Sequence, residues 1–104
     1  MGTLHDVQGM PVRLTEERLA HILEHPEMAD RRPAIGETLR QPEHVIESLA
    51  DPQARLYYRF YTGTLVGGKY LCVVVKIVGA DAFVLTAYLT DSVKRGRQIW
   101  PETR

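Results

Sequence analysis

The chain has 104 residues, of which 44% are hydrophobic and 25% are charged, and it has a single cysteine, Cys72. This length supports one core, so we expect a single domain over residues 1–104. The longest apolar run is far shorter than the roughly 20 residues of a membrane-spanning helix, which excludes that class of protein. Because no secretory signal is recognisable and one cysteine cannot form an internal disulfide, we expect a cytoplasmic protein without a membrane partner.

The zero net charge hides a division between the two halves of the chain. Residues 1–54 carry five Arg and ten Asp or Glu, a net charge of −5, whereas residues 55–104 carry eight Lys or Arg and three acids, a net charge of +5. The second half is therefore the candidate anion-binding half. The same division also suits a fold in which the halves neutralise each other, and composition leaves both interpretations open.

Two helices are predicted in the first half, after a polar, glycine-containing lead-in over residues 1–10 that we expect to be loosely ordered. Thr15 is a typical N-cap residue, and the first helix should end before Pro26. The second, shorter helix should begin near Pro33, because proline suits an early helical position, and it should end at Pro42.

Four strands are predicted in the second half from segments rich in β-branched and aromatic residues. These segments are HVIESL, RLYYRFY, KYLCVVVKIVG and AFVLTAYL, separated by short turn sequences. The turns leave no room for crossover helices, so the sheet should be mostly antiparallel. The predicted fold class is α+β, with two N-terminal helices packed on one face of a four-stranded, mostly antiparallel sheet.

Alternation along the strands predicts which side chains share a face of the sheet. Leu71, Val73 and Val75 are typical of the face that receives the helices. The opposite face is predicted to carry Arg55, Tyr57, Arg59, Tyr61, Lys76, Thr86, Tyr88 and Thr90. Cations neutralise phosphates, tyrosine rings stack on bases and hydroxyls donate to phosphate oxygens, so this face suits single-stranded RNA. An ordinary solvated sheet has a similar composition, and spacing alone leaves both interpretations open.

Other kinds of site are less favoured. His21 and His25 have the spacing of two zinc ligands on a helix, but the glutamate that follows the first histidine in zincins is Ile22 here, so no metal site is predicted. Cys72 lies in mid-strand among valines, where an inert thiol is the usual finding. The glycine-rich turn before the third strand lacks the ending of a phosphate-binding loop, and no cofactor is predicted.

Several segments resemble the phage-type branch of the barnase, EndoU, colicin and RelE-like nuclease fold (PBECR). The resemblance runs from about Leu14 to Trp100 and includes TEERLAHILEHPEM, DPQARLYYRFY, KYLCVVVK and AFVLTAYLTDSVKRGRQIW. Its most specific parts are the helix with His21 followed by the sequence HPE, and the strand end TAY leading to KRG. The resemblance implies helices on a four-stranded antiparallel sheet, a BECR/RelE-like domain, and a metal-independent endoribonuclease of the kind found in toxins, toxin–antitoxin pairs and phage proteins.

The resemblance also implies a mechanism, in which the ribose 2′-hydroxyl attacks the adjacent phosphate with general acid and base catalysis. An imidazole titrates nearest neutral pH, which favours His21 as acid or base, with His25 as the second candidate. The predicted catalytic residues are His21, Arg59, Lys76, Thr86 and Tyr88, and the predicted RNA-binding residues are His25, Arg55, Tyr57, Lys94, Arg95 and Arg97. EndoU-like members use two histidines with a lysine, and RelE-like members use Arg, Lys and Tyr. Both sets can be drawn from this chain, and the choice stays open.

The expected partners are RNA and a cognate antitoxin or immunity protein. The alternative from another class is a catalytically inactive module of the same fold that binds RNA or a protein. Such a module would retain most of the predicted face, so the sequence does not decide between enzyme and binder.

Overall fold

The computed structural model describes residues 2–102, which form a seven-stranded sheet and two α-helices. The strands are β1 (Thr3–His5), β2 (Pro11–Arg13), β3 (His44–Ser48), β4 (Ala54–Thr64), β5 (Gly67–Val78), β6 (Asp81–Thr90) and β7 (Gly96–Trp100). The helices are α1 (Glu16–Leu23) and α2 (Arg32–Arg40), with a 3-10 turn at Pro26–Met28 between them. The strand order across the sheet is β1-β2-β6-β5-β4-β3-β7, and neighbours are antiparallel except for β2 and β6.

The predicted four-stranded sheet is wrong, because short strands extend the meander of β3 to β6 at both edges. β1 and β2 form a hairpin, and Arg13 of β2 pairs in parallel with Phe83 of β6, so the sheet is mixed. β7 pairs with β3 at the other edge. These three strands have only three to five residues each, too few for alternation to identify them. The α+β class is compatible with the structure.

A buried carboxylate, Asp6, connects residues 2–10 of the lead-in to the sheet. Asp6 accepts hydrogen bonds from the backbone N–H groups of Gln8 at 3.0 Å and Met10 at 2.8 Å. It also accepts from the hydroxyl of Tyr57 at 2.7 Å. A buried carboxylate with three donors is satisfied, so it ties the β1–β2 hairpin to the centre of the sheet. Met1 and residues 103–104 of the predicted domain lie outside the described residues.

The helix face of the sheet carries the main core. α1 begins after Thr15, whose side chain accepts from the N–H of Arg18 at 3.2 Å, and it ends before Pro26, as its local signals predicted. The two helices pack on this face through Leu19, Ile22, Ala34, Ile35 and Leu39, against Tyr57, Leu71, Val73, Val75, Val84 and Ala87. No helix within residues 2–102 is long and apolar enough to cross a membrane.

The opposite face carries a smaller core, crossed by the segment that connects β6 to β7. This core consists of Ile46, Ala54, Leu56, Tyr58, Cys72 and Val74. Because β6 and β7 lie on opposite sides of β3, β4 and β5, residues 91–95 must pass over these strands. Val93 packs on the smaller core, and the N–H of Lys94 donates to the hydroxyl of Tyr58 at 3.1 Å. We call residues 91–95 the strap and this side of the sheet the strap face.

The predicted division of side chains between the two faces is wrong for β4. Tyr57 lies opposite Val73, and Arg59 lies opposite Leu71, so both point toward the helices. Arg55 and Tyr61 share their strand parity and therefore their face. Alternation shows which residues share a face of the sheet but not which face the helices cover. Tyr57 can lie on the covered face because its hydroxyl has a hydrogen-bond partner there, Asp6.

A bulge interrupts the alternation of β6 at Leu85, so the alternation predicted from the sequence does not describe the residues before Thr86. Val74 of β5 lies opposite Thr86, but the next residue, Val75, lies opposite Val84. One extra residue of β6 is thus accommodated between them. Val84 consequently turns to the helix face, while Thr86 and Tyr88 stay on the strap face.

Candidate functional site

A polar cluster lies beneath the strap, at the centre of the strap face. Tyr58 of β4, Cys72 of β5 and Tyr88 of β6 are neighbours in register across three adjacent strands. Both phenol hydroxyls lie close enough to the thiol to influence its pKa. The hydroxyl of Tyr58 also accepts from the strap at Lys94, so the cluster and the strap form one connected unit.

Burial keeps the members of this cluster uncharged at neutral pH. It raises the pKa of the Cys72 thiol to about 11, although hydrogen bonds to Tyr88 and Tyr58 and the charge of Lys94 act in the opposite direction. Burial also raises the pKa of Tyr58 to about 12, and it raises the pKa of Tyr88. Cys72 is therefore a protonated thiol rather than a nucleophile, and Tyr88 is a hydrogen-bond donor rather than a base.

The strap has two exposed cations, Lys94 and Arg95, and Lys94 lies beside this cluster. The ammonium group of Lys94 is close enough to Cys72 for its charge to act on the thiol. Within residues 2–102 neither Lys94 nor Arg95 has a partner in an ion pair. Both are thus available to an anionic ligand on the strap face.

Lys76 lies on the strap face but is engaged within the protein. Its ammonium group forms an ion pair with the carboxylate of Asp51, in the turn between β3 and β4. The hydrogen bond from Lys76 is the main cause that lowers the pKa of Asp51. A phosphate would reach Lys76 only in competition with this carboxylate.

Three predicted residues of β4 lie on the helix face, away from Lys76. Arg59 donates to the carbonyl of Gln41 at 2.8 Å, and its Nε lies 3.9 Å from Oε1 of Glu37. Tyr57 is fully buried and has no ring surface to offer to a base. Arg55 is half-buried beside Tyr57. The two cations predicted to be catalytic, Arg59 and Lys76, are therefore on opposite sides of the sheet.

The two predicted histidines lie on the helical layer. His21 is largely exposed, with Nδ1 3.7 Å from Oε1 of Glu24, and His25 is exposed at the start of the 3-10 turn. One turn before His21, Arg18 donates to the carbonyl of Leu85 at 3.5 Å, so this side of α1 runs along β6. His21 is thus at the rim of the sheet beside β6, not above the polar cluster.

Arg97, the last predicted RNA-binding residue, pairs with Glu47 across β3 and β7. Its Nε donates to Oε1 of Glu47 at 3.0 Å, although the side chain is largely exposed. The contact joins the two outer strands at this edge. Arg97 therefore has a role within the fold, whatever ligand the protein binds.

Sequence reasoning missed an aromatic group on the strap face, formed by His44, Phe60 and Tyr70. The ring centroid of Tyr70 lies 5.2 Å from that of Phe60 and 6.4 Å from that of His44. It also lies 6.2 Å from the ring of Tyr58, which connects the aromatic group to the polar cluster. Strand parity placed Phe60 with Tyr58 and Tyr70 with Cys72, but only the register of β3, β4 and β5 joins the three rings.

Among residues 2–102, no group of three or more His, Cys, Asp or Glu side chains is placed to hold a metal ion. No protein-family model, curated protein or solved structure matches this chain. The resemblance to the barnase, EndoU, colicin and RelE-like nuclease fold therefore stays a prediction from the sequence segments quoted above.

Proposed function

We propose that the protein is a metal-independent endoribonuclease of the toxin type, acting on single-stranded RNA bound to the strap face. The observation that supports this function is the grouping of Thr86, Tyr88, Lys94 and Arg95 around the polar cluster. A phosphodiester requires hydroxyl donors and cations, and Lys94 and Arg95 have no ion-pair partner within residues 2–102. Charge-assisted hydrogen bonds to phosphate are also about twice as strong as neutral ones.

The proposed reaction forms a bond between the 2′-oxygen and phosphorus and breaks the bond between phosphorus and the 5′-oxygen. A base takes the proton of the 2′-hydroxyl, and an acid gives a proton to the leaving 5′-oxygen, so the products are a 2′,3′-cyclic phosphate and a 5′-hydroxyl. The phosphorane gains negative charge, which Lys94 and Arg95 stabilise. Tyr88 stays protonated because of its raised pKa and donates to a phosphate oxygen.

Two imidazoles are candidates for the proton transfers. His44 lies on the strap face beside Tyr70, and His21 lies at the rim of the sheet beside β6. Each is partly or largely exposed, which lets it exchange protons with solvent. Replacing each histidine separately with alanine in the assay below assigns the transfers.

The test is cleavage of a labelled single-stranded RNA by the purified protein in EDTA. We expect products with 2′,3′-cyclic phosphate ends, and no cleavage of the matching DNA, which lacks the attacking hydroxyl. Tyr88→Phe should lower the rate by about tenfold or more, because a hydrogen bond to a charged group contributes about 1.5–3 kcal/mol.

The matched control is Tyr61→Phe, which removes a phenol hydroxyl from the helix face. This hydroxyl donates to Glu37 at 2.6 Å and lies away from the strap, so the variant should keep the wild-type rate. RNA that remains intact with the folded protein contradicts the proposed enzyme, and equal losses in the two variants contradict its location on the strap face.

An inactive RNA- or protein-binding module is the second candidate, and one observation favours it. Two cations predicted for catalysis have partners within the fold, Lys76 with Asp51 and Arg59 with Glu37. A module of this kind binds RNA with a strong dependence on salt but leaves it intact. The expected antitoxin or immunity protein stays a prediction for either candidate.

A further inference from the structure

We propose that His44, Phe60 and Tyr70 form a stacking subsite for one unpaired nucleobase, next to the phosphate-binding part of the strap face. This inference rests on the proposed binding of single-stranded RNA and adds to it where a base lies. The three residues come from adjacent strands β3, β4 and β5 and have strand positions that point to the same face.

The exposure of Phe60 is the first step of the argument. This ring is 43% exposed, although a phenylalanine is usually buried in a core. Its plane makes an angle of 78° with that of Tyr70, so an edge contact holds it and a face is left uncovered by Tyr70. An exposed ring face held in a set orientation is the feature that stacks on bases in single-strand binding proteins.

The ring of Phe60 packs closely against the backbone of β5 at Gly68. A Cβ atom on Gly68 would lie 2.9 Å from Cζ of Phe60, so any larger residue at this point of β5 would displace the ring. Tyr70, two residues further along β5, contacts Phe60, His44 and Tyr58 at once. Phe60 is therefore supported from two directions rather than free to rotate over the surface.

The position of the strap relates the rings to the phosphate-binding cations. Thr90 pairs with Tyr70, so the strap leaves β6 beside the aromatic group, and Lys69 fixes its first residue through an ion pair with Asp91. The strap then reaches Tyr58 at Lys94. Tyr70 and Cys72 are roughly 7 Å apart along β5. A base on the rings and a phosphate at Lys94 thus belong to neighbouring nucleotides of one strand.

The cations beside the rings favour a nucleic acid over a protein as the occupant. Lys94 and Arg95 have no ion-pair partner within residues 2–102. A single strand offers bases beside phosphates, which matches a group of rings beside cations. An apolar side chain of a protein partner would occupy the rings without needing these charges.

The test measures binding of a labelled 2′-O-methyl RNA, which cannot be cleaved, by fluorescence anisotropy. We expect Phe60→Leu and Tyr70→Leu to weaken binding by about tenfold each, as is usual for the loss of one stacked base. The slope of affinity against salt should not change, because no phosphate contact is lost, whereas Lys94→Ala should reduce that slope. Phe83→Leu, which removes an aromatic ring elsewhere on this face, is the control and should bind as the wild type does.

A base-free polyanion separates stacking from charge. Polyphosphate should bind wild type, Phe60→Leu and Tyr70→Leu equally if the rings hold a base. Equal RNA binding by wild type and both ring variants overturns the subsite and includes the case in which a protein partner occupies the rings. Loss of RNA cleavage with the ring effects intact leaves the subsite standing and removes only the nuclease activity.

Discussion

Two adjacent tyrosines of β4 show how one residue type secures different segments on the two faces of the sheet. Tyr57 points to the helix face and donates to Asp6, which holds the β1–β2 hairpin. Tyr58 points to the strap face and accepts from the backbone N–H of Lys94. Each ring is fully buried, and each hydroxyl has a hydrogen-bond partner. A buried hydroxyl without such a partner would destabilise the fold. A single step along the strand therefore decides which segment a tyrosine fixes.

We expect Tyr58→Phe to lower the free energy of unfolding by about 1–3 kcal/mol, because the N–H of Lys94 loses its acceptor near a buried core. Urea unfolding measures the change. Tyr70→Phe is the control, since the Tyr70 hydroxyl has no hydrogen-bond partner among residues 2–102, and it should unfold as the wild type does. The same urea midpoint for Tyr58→Phe and wild type would show that the strap does not depend on this contact.

At the scale of elements, two glycines illustrate how close approach limits the side chain. Gly96 begins β7, and a Cβ atom there would overlap the backbone oxygen of Glu47 and lie 2.5 Å from Cγ2 of Ile46. Gly36 lies inside α2, where a Cβ atom would lie 3.5 Å from Cδ2 of Leu4, an ordinary contact. The same substitution should therefore have opposite effects in the strand and in the helix.

Gly96→Ala should weaken the pairing of β7 with β3, since the new methyl group forces the strands apart. Hydrogen exchange of the β7 amides should become faster, and the melting temperature should fall. Gly36→Ala should instead raise the free energy of unfolding by about 0.5–1 kcal/mol, because alanine favours a helix interior. Effects of the same sign in the two variants would contradict the geometry of both sites.

Across the whole molecule, the opposite charges of the two halves partly neutralise each other. Ion pairs between acids of the first half and cations of the second join Glu37 with Arg59, Glu47 with Arg97 and Asp51 with Lys76. The division of charge seen in the sequence is thus in part a means of joining the halves. Lys94 and Arg95 remain for an external anion, which is why the proposed site lies at the strap.

The buried tyrosines should also make the fold sensitive to alkali. Burial raises the pKa of Tyr58 and Tyr61 to about 12 and raises that of Tyr57 and Tyr88 above the ordinary value of about 10. The unfolded chain therefore loses these protons first. Stability from the neutral phenols is complete below about pH 10 and is lost as the pH rises through the folded-state values.

Urea unfolding at pH values on both sides of about 10 measures this effect as a decline in the free energy of unfolding. Tyr88→Phe removes one of the four phenols and should decline less steeply. A free energy of unfolding that is constant above that pH, or a variant with the wild-type slope, would show that the phenols ionise alike in the two states.

Local signals predicted much of the fold. The hydroxyl of Thr15 and the ring of Pro26 act within one turn of chain, so the bounds of α1 follow from the sequence. The long β-branched and aromatic runs likewise predicted the meander from β3 to β6, because short turns can only return a strand beside its neighbour. The candidate cations of the strap, Lys94 and Arg95, could also be named from their place after the last run.

Contacts between distant segments determined the rest. Alternation along a strand shows which side chains share a face but not which of the two faces is buried. The face of Arg59 and Tyr57 therefore depended on contacts with α2 and Asp6, which lie far away in sequence. The bulge at Leu85 and the path of the strap over Tyr58 depend on how strands pair, which no single segment encodes. The sequence alone thus determined which reactive side chains the protein has. Only the packing between distant segments decided which of them share one surface.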